Sequence, residues 1–224
     1  QGCLIIADPQ TGLIKALTGP SPRKWSGGVV VTAESLLPFM VIPSLVPEKQ
    51  EHPKFTLTAQ VFGPRLVGGS VTFREAFNKE RPLLIEKLMG LIGPERIVSQ
   101  LKEFGINAKR RGEYEIEVKP ITPLRMARSY CILANLGHDV PLSPGVGVLE
   151  EFSRAEKPKM EHIPTKPAFL YMVNHLLKRL DASSRREGMP DRIRLEPSVF
   201  ISQSAEGLWG VCYRQDALVL LSLP

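Results

Sequence analysis

The sequence predicts an α+β fold, with an antiparallel sheet built from both chain termini and a large helical insertion packed on it. Three observations carry this. Apolar and polar residues alternate in short runs at both ends of the chain, the runs at the ends are separated by turn-forming clusters, and the middle of the chain has helical spacing with recognisable caps. The composition supports a folded core. Of 224 residues, 43% are hydrophobic, and 29 Lys and Arg against 23 Asp and Glu leave a formal charge of +6. That balance excludes a mainly disordered chain. The whole chain, 1–224, is expected to be one domain, excised from a longer protein, because it starts within a strand pattern and shows no basic and apolar leader.

The elements follow in order. Residues 4–7 and 13–17 flank the turn Asp8-Pro9-Gln10-Thr11-Gly12 and read as a hairpin. Residues 29–46 are apolar but interrupted by Glu34, Pro38 and Pro43, which excludes a membrane-spanning helix and leaves either a strand with a short helix or a buried irregular segment. Phe55, Leu57, Ala59 and Val61 alternate with polar residues, so one extended stretch is expected within 48–69. Thr72-x-x-Glu75 has the spacing of a capping box, and Phe73, Phe77, Leu84, Leu88 and Leu91 continue the helical pattern, which Pro82 should break or kink. Pro94 suits the first turn of a second helix that ends at Phe104-Gly105. A short strand is expected over 114–118, and Thr122-Pro123 opens a helix that Gly137 closes. A further helix covers 165–180, and strands are expected at 193–196, 199–202, 208–213 and 217–223.

Composition also bounds function. The clusters Lys109-Arg110-Arg111 and Arg185-Arg186 have no interleaved aromatics, so they read as solvated loops and no nucleic-acid partner is expected. Cys3, Cys131, Cys212 and the four His are scattered, so neither a metal site nor a cofactor is expected. Cys131 and Cys212 fall on apolar faces and read as small buried hydrophobes. Trp25 and Trp209 read as packing residues, and His138 as a favourable charge beside a helix C-terminus.

Five local strings, in order across nearly the whole chain, resemble the transpeptidase domain of penicillin-binding proteins, particularly that of bifunctional wall synthases. Residues 2–17 resemble its first hairpin, with an Asp-Pro-x-Thr-Gly turn. Val71-Thr72-Phe73-Arg74-Glu75-Ala76-Phe77 is similar to its Val-Thr-Leu-Arg-Glu-Ala-Leu helix start. Residues 93–106 resemble its Gly-Pro helix ending in Phe-Gly-Ile. Thr122-Pro123-Leu124 through Met126-Ala127, Tyr130 and Ala134-Asn135-Leu136-Gly137 is similar to its Thr-Pro-Leu helix. Trp209, Val211, Tyr213 and Asp216 fall where the family has its last hairpin.

The resemblance implies a cleft with three motifs. A lysine four positions into Ser-x-x-Lys takes the proton of a serine that is otherwise a weak nucleophile, Ser-x-Asn relays protons, and a Lys-Thr-Gly strand binds the substrate carboxylate beside an oxyanion hole of backbone N–H groups. The corresponding residues here differ. Before Pro38-Phe39, ungapped matching puts Glu34 at the serine and Leu37 at the lysine; a one-residue gap keeps Ser35 but restores no lysine. The Ser-x-Asn position falls on Glu80-Arg81-Pro82, and the chain contains no Ser-x-Asn triplet. The Lys-Thr-Gly position falls on Ile201-Ser202-Gln203, and no lysine follows Lys178. Glu34, Ser35, Leu37, Glu80, Pro82, Ser202 and Gln203 are therefore degenerate equivalents, with Ser35 the fallback nucleophile.

Two literal Ser-x-x-Lys strings, Ser21 to Lys24 and Ser99 to Lys102, lie in a proline-bearing turn and on the Gly-Pro helix, where the resemblance gives no catalytic part. Loss of a general base costs about two to four orders of magnitude in rate. The resemblance thus implies a catalytically degenerate domain of cell-wall synthesis, acting outside the cytoplasmic membrane as a binding or scaffolding module. Its expected partners are a peptidoglycan stem peptide or glycan, or other wall-synthesis proteins; membrane attachment would come only through a segment absent from this chain. The alternative is an active serine D,D-transpeptidase or carboxypeptidase that acylates Ser35 or Ser21 with a displaced base. A third reading has the old cleft hold wall stems noncovalently, with Arg192 or Arg194 replacing the missing lysine.

Overall fold

A computed structural model describes residues 2–19, 33–45, 60–62, 71–79, 81–144, 162–177, 198–204, 207–214 and 216–223. Strands β1 (Cys3–Ala7), β2 (Leu13–Thr18), β8 (Ser198–Ser204), β9 (Gly207–Tyr213) and β10 (Leu218–Leu223) join β7 (Ser143–Pro144) in one sheet of order β7-β2-β1-β10-β9-β8. The two ends of the chain meet at its centre, where β1 runs antiparallel to β10 with Ile5 opposite Leu220. Period-2 alternation sets the buried face. Cys3, Ile5 and Ala7 of β1, Trp209, Val211 and Tyr213 of β9, and Leu218 and Leu220 of β10 are all buried. On β8 the same alternation buries Ser198, Phe200 and Ser202 and leaves Ile201 exposed.

The β1–β2 turn is fixed by its own residues. Asp8 accepts backbone N–H groups from Gln10 and Thr11 at 3.0 and 3.3 Å, an Asx-type turn. Gly12 adopts φ +72°, and a Cβ there would lie 2.1 Å from the carbonyl oxygen of Pro141. Only glycine fits this approach, which lets Ser143 donate to the Gly12 carbonyl at 2.9 Å and seats β7 parallel to β2.

Helix α6 (Pro123–Ala134) lies against β1 and β10, and nine of its 12 residues are buried. Thr122 caps it by accepting the Arg125 N–H at 3.2 Å. Beyond its end Asn135 reaches back to the Pro9 carbonyl, tying the Ala-Asn-Leu-Gly string to the first hairpin. Helix α7 (Pro167–Leu177) is joined to it through Asn174, which donates to Leu133 O at 3.0 Å and accepts from the Tyr213 hydroxyl. The helical middle contains α3 (Phe73–Lys79), α4 (Arg81–Ile92) and α5 (Pro94–Glu103), with the small ribbons β3 (Gln60–Phe62) to β4 (Val71–Thr72) and β5 (Ala108–Arg110) to β6 (Ile116–Val118) beside them. The Thr72–Glu75 capping box forms in both directions, at 2.9 and 3.3 Å.

Several expectations need correction or detail. Of the two outcomes expected at Pro82 the break is the one found: the pattern from Thr72 is two helices, because Pro82, lacking an N–H, sits only in the first turn of α4. Lys109 and Arg110 lie on strand β5 and not in a loop: Lys109 pairs with Glu117 at 3.1 Å, and Arg110 with Glu95. Cys212 is half-buried rather than fully buried. His138 does stand just past the end of α6, and in addition its ring meets His162 edge to face, at 4.7 Å between centroids. The strand expected at 193–196, Trp25 and most of the extended stretch within 48–69 lie outside the described residues.

Candidate functional site

The described part of the proline-broken segment is a series of short helical turns. A 3-10 turn over Ala33–Leu36 leads into α1 (Leu37–Met40) and α2 (Ile42–Leu45), each with a proline at its second position. A proline supplies no N–H to a preceding carbonyl, so each turn starts afresh and none grows long. All residues from Ser35 to Leu45 are buried, which anchors the segment in the core. Phe39 packs against Phe104 and Tyr130, with ring centroids 4.9 and 5.0 Å apart. This anchorage presents Ser35 to the edge strand β8.

The Ser35 hydroxyl donates to the Ser202 hydroxyl at 3.1 Å, both side chains being buried. Two of the residues expected as degenerate equivalents, 167 positions apart in sequence, are therefore in direct contact. Glu34 is half-buried beside them, and Leu37, at the lysine position, is wholly buried in the apolar core. Pro82 is exposed in the first turn of α4, and Gln203 lies next to Ser202 on β8. Glu80, Ser21, Arg192 and Arg194 lie outside the described residues. Ser99 and Lys102 are both exposed on α5, away from the Ser35–Ser202 contact.

A residue to which sequence reasoning gave no role completes the site. Arg81, the central residue of the triplet at the Ser-x-Asn position, donates through Nε to Phe77 O at 3.2 Å and through its terminal nitrogen to Ile201 O. Its guanidinium lies over the Phe200 ring, 4.7 Å from the centroid. Burial holds its pKa below the ordinary arginine value, while Glu34 and Tyr130 nearby act in the opposite direction. Even so lowered, an arginine stays charged at neutral pH. The signal in the sequence was a cation at the middle of a matched triplet, beside a proline that starts a helix.

Among the described residues the groups around Ser35 include no lysine or histidine base, and the nearby carboxylate is that of Glu34. Ser35 meets another neutral hydroxyl, and Arg81 can donate hydrogen bonds but cannot accept a proton. Tyr130, behind the guanidinium, has its pKa pushed well above the ordinary phenol value by burial, so it is a neutral phenol at neutral pH. Among the described residues no group of three or more His, Cys, Asp or Glu side chains could hold a metal ion.

The fold is that of penicillin-binding-protein transpeptidase domains. The chain is similar to a peptidoglycan glycosyltransferase from Burkholderia ambifaria, with a TM-score of 0.65 and 15% identity over 99% of this chain and 81% of that one. It is also similar to the apo TP domain of penicillin-binding protein 3 from Burkholderia pseudomallei, with a TM-score of 0.66 and 14% identity over 99% and 79%. A third similar structure is PBPA from Mycobacterium tuberculosis, with a TM-score of 0.67 and 13% identity over 100% and 70%. No family model matches the chain, and neither does any curated protein.

Proposed function

We propose that this chain is a transpeptidase-fold domain of cell-wall synthesis that has lost acyl transfer and acts as a binding or scaffolding module. The observation that carries the reading is the set of side chains packed around Ser35. The position matched to the lysine base is Leu37, buried among apolar side chains, and the guanidinium that does reach the cleft is committed to two backbone carbonyls and an aromatic ring. Acyl transfer from a serine needs a group that accepts its proton as the new bond forms. Among the described residues the hydroxyl that Ser35 meets is too weak a base for that, Arg81 is already protonated, and the nearby carboxylate of Glu34 replaces the expected lysine with a group of opposite charge.

Arg81 also affects the strand edge. Its bond to Ile201 O occupies an outward carbonyl of β8, and an edge strand with a capped carbonyl is less open to an added extended peptide. The reading places the domain outside the cytoplasmic membrane, on the analogy of wall-synthesis enzymes, with stem peptide, glycan or synthesis proteins as partners. No described helix is long and apolar enough to cross a membrane.

Intact-mass spectrometry after incubation with a reactive penicillin tests the proposal. The expected result is an unchanged mass at high reagent concentration. An adduct of one acyl group, mapped by digestion to Ser35 or Ser21, would establish the active-enzyme reading instead.

A further inference from the structure

Helix α5 turns a second polar face toward a cavity of about 380 Å³, walled by Pro43 of α2 and by the segment that leads into α7. None of its lining residues belongs to the Ser35 cleft, and that volume is in the range of small-molecule sites.

At its base, Glu103 Oε2 accepts a hydrogen bond from the Thr165 hydroxyl at 2.7 Å and from the Gln100 amide at 3.2 Å. Gln100 also donates to Thr165 at 2.9 Å. Thr165 and Gln100 are both buried, so this is a fixed floor and not a set of mobile surface groups. Both donors are neutral. Among the described residues no ion pair to Glu103 is seen, and both hydrogen bonds fall on Oε2, leaving Oε1 toward the cavity that Glu103 lines. A partly buried carboxylate in that state attracts a cationic donor.

The other lining groups complement it. Lys166 brings positive charge to the same cavity, which Arg96, itself partnered elsewhere, also lines, and Pro43 and Phe169 supply apolar wall. A small ligand that satisfies all three has an ammonium group, a carboxylate and an apolar side group. We infer that the cavity between α5 and the start of α7 binds a zwitterion of amino-acid or dipeptide size, with its ammonium on Glu103, its carboxylate toward Lys166 and its apolar group against Phe169. This does not depend on whether the Ser35 cleft is active.

Phenylalanine is a suitable probe, with N-acetylphenylalanine and phenylalanine amide as controls that each lack one charge. Binding to the purified protein would be followed by amide chemical shifts. The expected result is saturable binding of phenylalanine at about 1 mM or tighter, with shifts centred on α5 and residues 162–169, and at least about tenfold weaker binding of each control. Glu103→Gln should weaken phenylalanine by about tenfold and Lys166→Ala by several-fold, each variant being checked for an unchanged unfolding midpoint. If Glu103→Gln does not fold, the comparison of the three compounds on the parent protein decides alone. Equal binding of all three, shifts centred on β8, or no saturation at about 20 mM would overturn the inference.

Discussion

Removing the guanidinium of Arg81 while keeping its apolar stem isolates what this side chain does for the edge strand. In Arg81→Met, the bonds to Phe77 O and Ile201 O and the contact with the Phe200 ring are all lost. A hydrogen bond from a charged donor contributes about 1.5–3 kcal/mol, and a guanidinium over a ring about 1 kcal/mol. Against this stands the cost of holding a guanidinium half-buried, which takes back several kcal/mol. Ile201 is an exposed residue, so water can replace one of the lost donors. The balance is a destabilisation of about 2 kcal/mol, which at an m-value of about 2.5 kcal/mol/M lowers the urea midpoint by about 0.8 M. Equilibrium urea unfolding measures this, with hydrogen exchange at β8 amides as the local readout. Arg81→Lys should recover less than half of the loss, because an ammonium is a point donor that cannot both stack and fork. A midpoint within about 0.2 M of the parent, with β8 exchange unchanged, would refute the claim that Arg81 holds the edge strand.

Three further outcomes are expected. Gly12→Ala should cost about 2–3 kcal/mol by thermal or urea unfolding, since it combines φ +72° with a Cβ placed 2.1 Å from a backbone oxygen; an unchanged midpoint would contradict the close approach of Pro141. A double-mutant cycle on Ser35→Ala and Ser202→Ala should give a coupling of about 1 kcal/mol, as for two groups that share one buried hydrogen bond, whereas strict additivity would mean they are not in contact. Stability should fall at alkaline pH. Burial, with Asp8 and Asp139 adding to it, pushes the Cys131 thiol from its ordinary 9.0 up to about 12, and burial raises Tyr130 and Tyr213 in the same direction. A folded-state pKa above the unfolded one means that the stabilisation is complete below pH 9.0 and is lost as pH rises toward 12, so urea midpoints should decline across that window. Flat midpoints there would show that these groups are not buried as described.

Much of the site was legible locally. The Asp8 turn, the Thr72–Glu75 box, the Thr122 cap and the proline-started α5 depend on contacts within a few residues, and such contacts form wherever the sequence places them. That the chain has no Ser-x-Asn triplet and that Leu37 stands three residues after Glu34 were also readable, as matters of identity that need no geometry. Arg81 was not. Its importance comes from Phe200 and Ile201, 119 and 120 positions away, and no periodicity in the sequence points to them. The Glu103 floor escaped for the same reason, since Thr165 lies 62 residues further along the chain.

The chain's own residues therefore determined most of the strands and helices and their caps, because each depends on side-chain chemistry read over a few neighbours. Tertiary structure alone decided that Ser35 rather than Glu34 meets the edge strand. Where a 3-10 turn ends and which of two adjacent residues turns inward depend on the packing of Phe39 against Phe104 and Tyr130, a balance of contacts drawn from three distant parts of the chain.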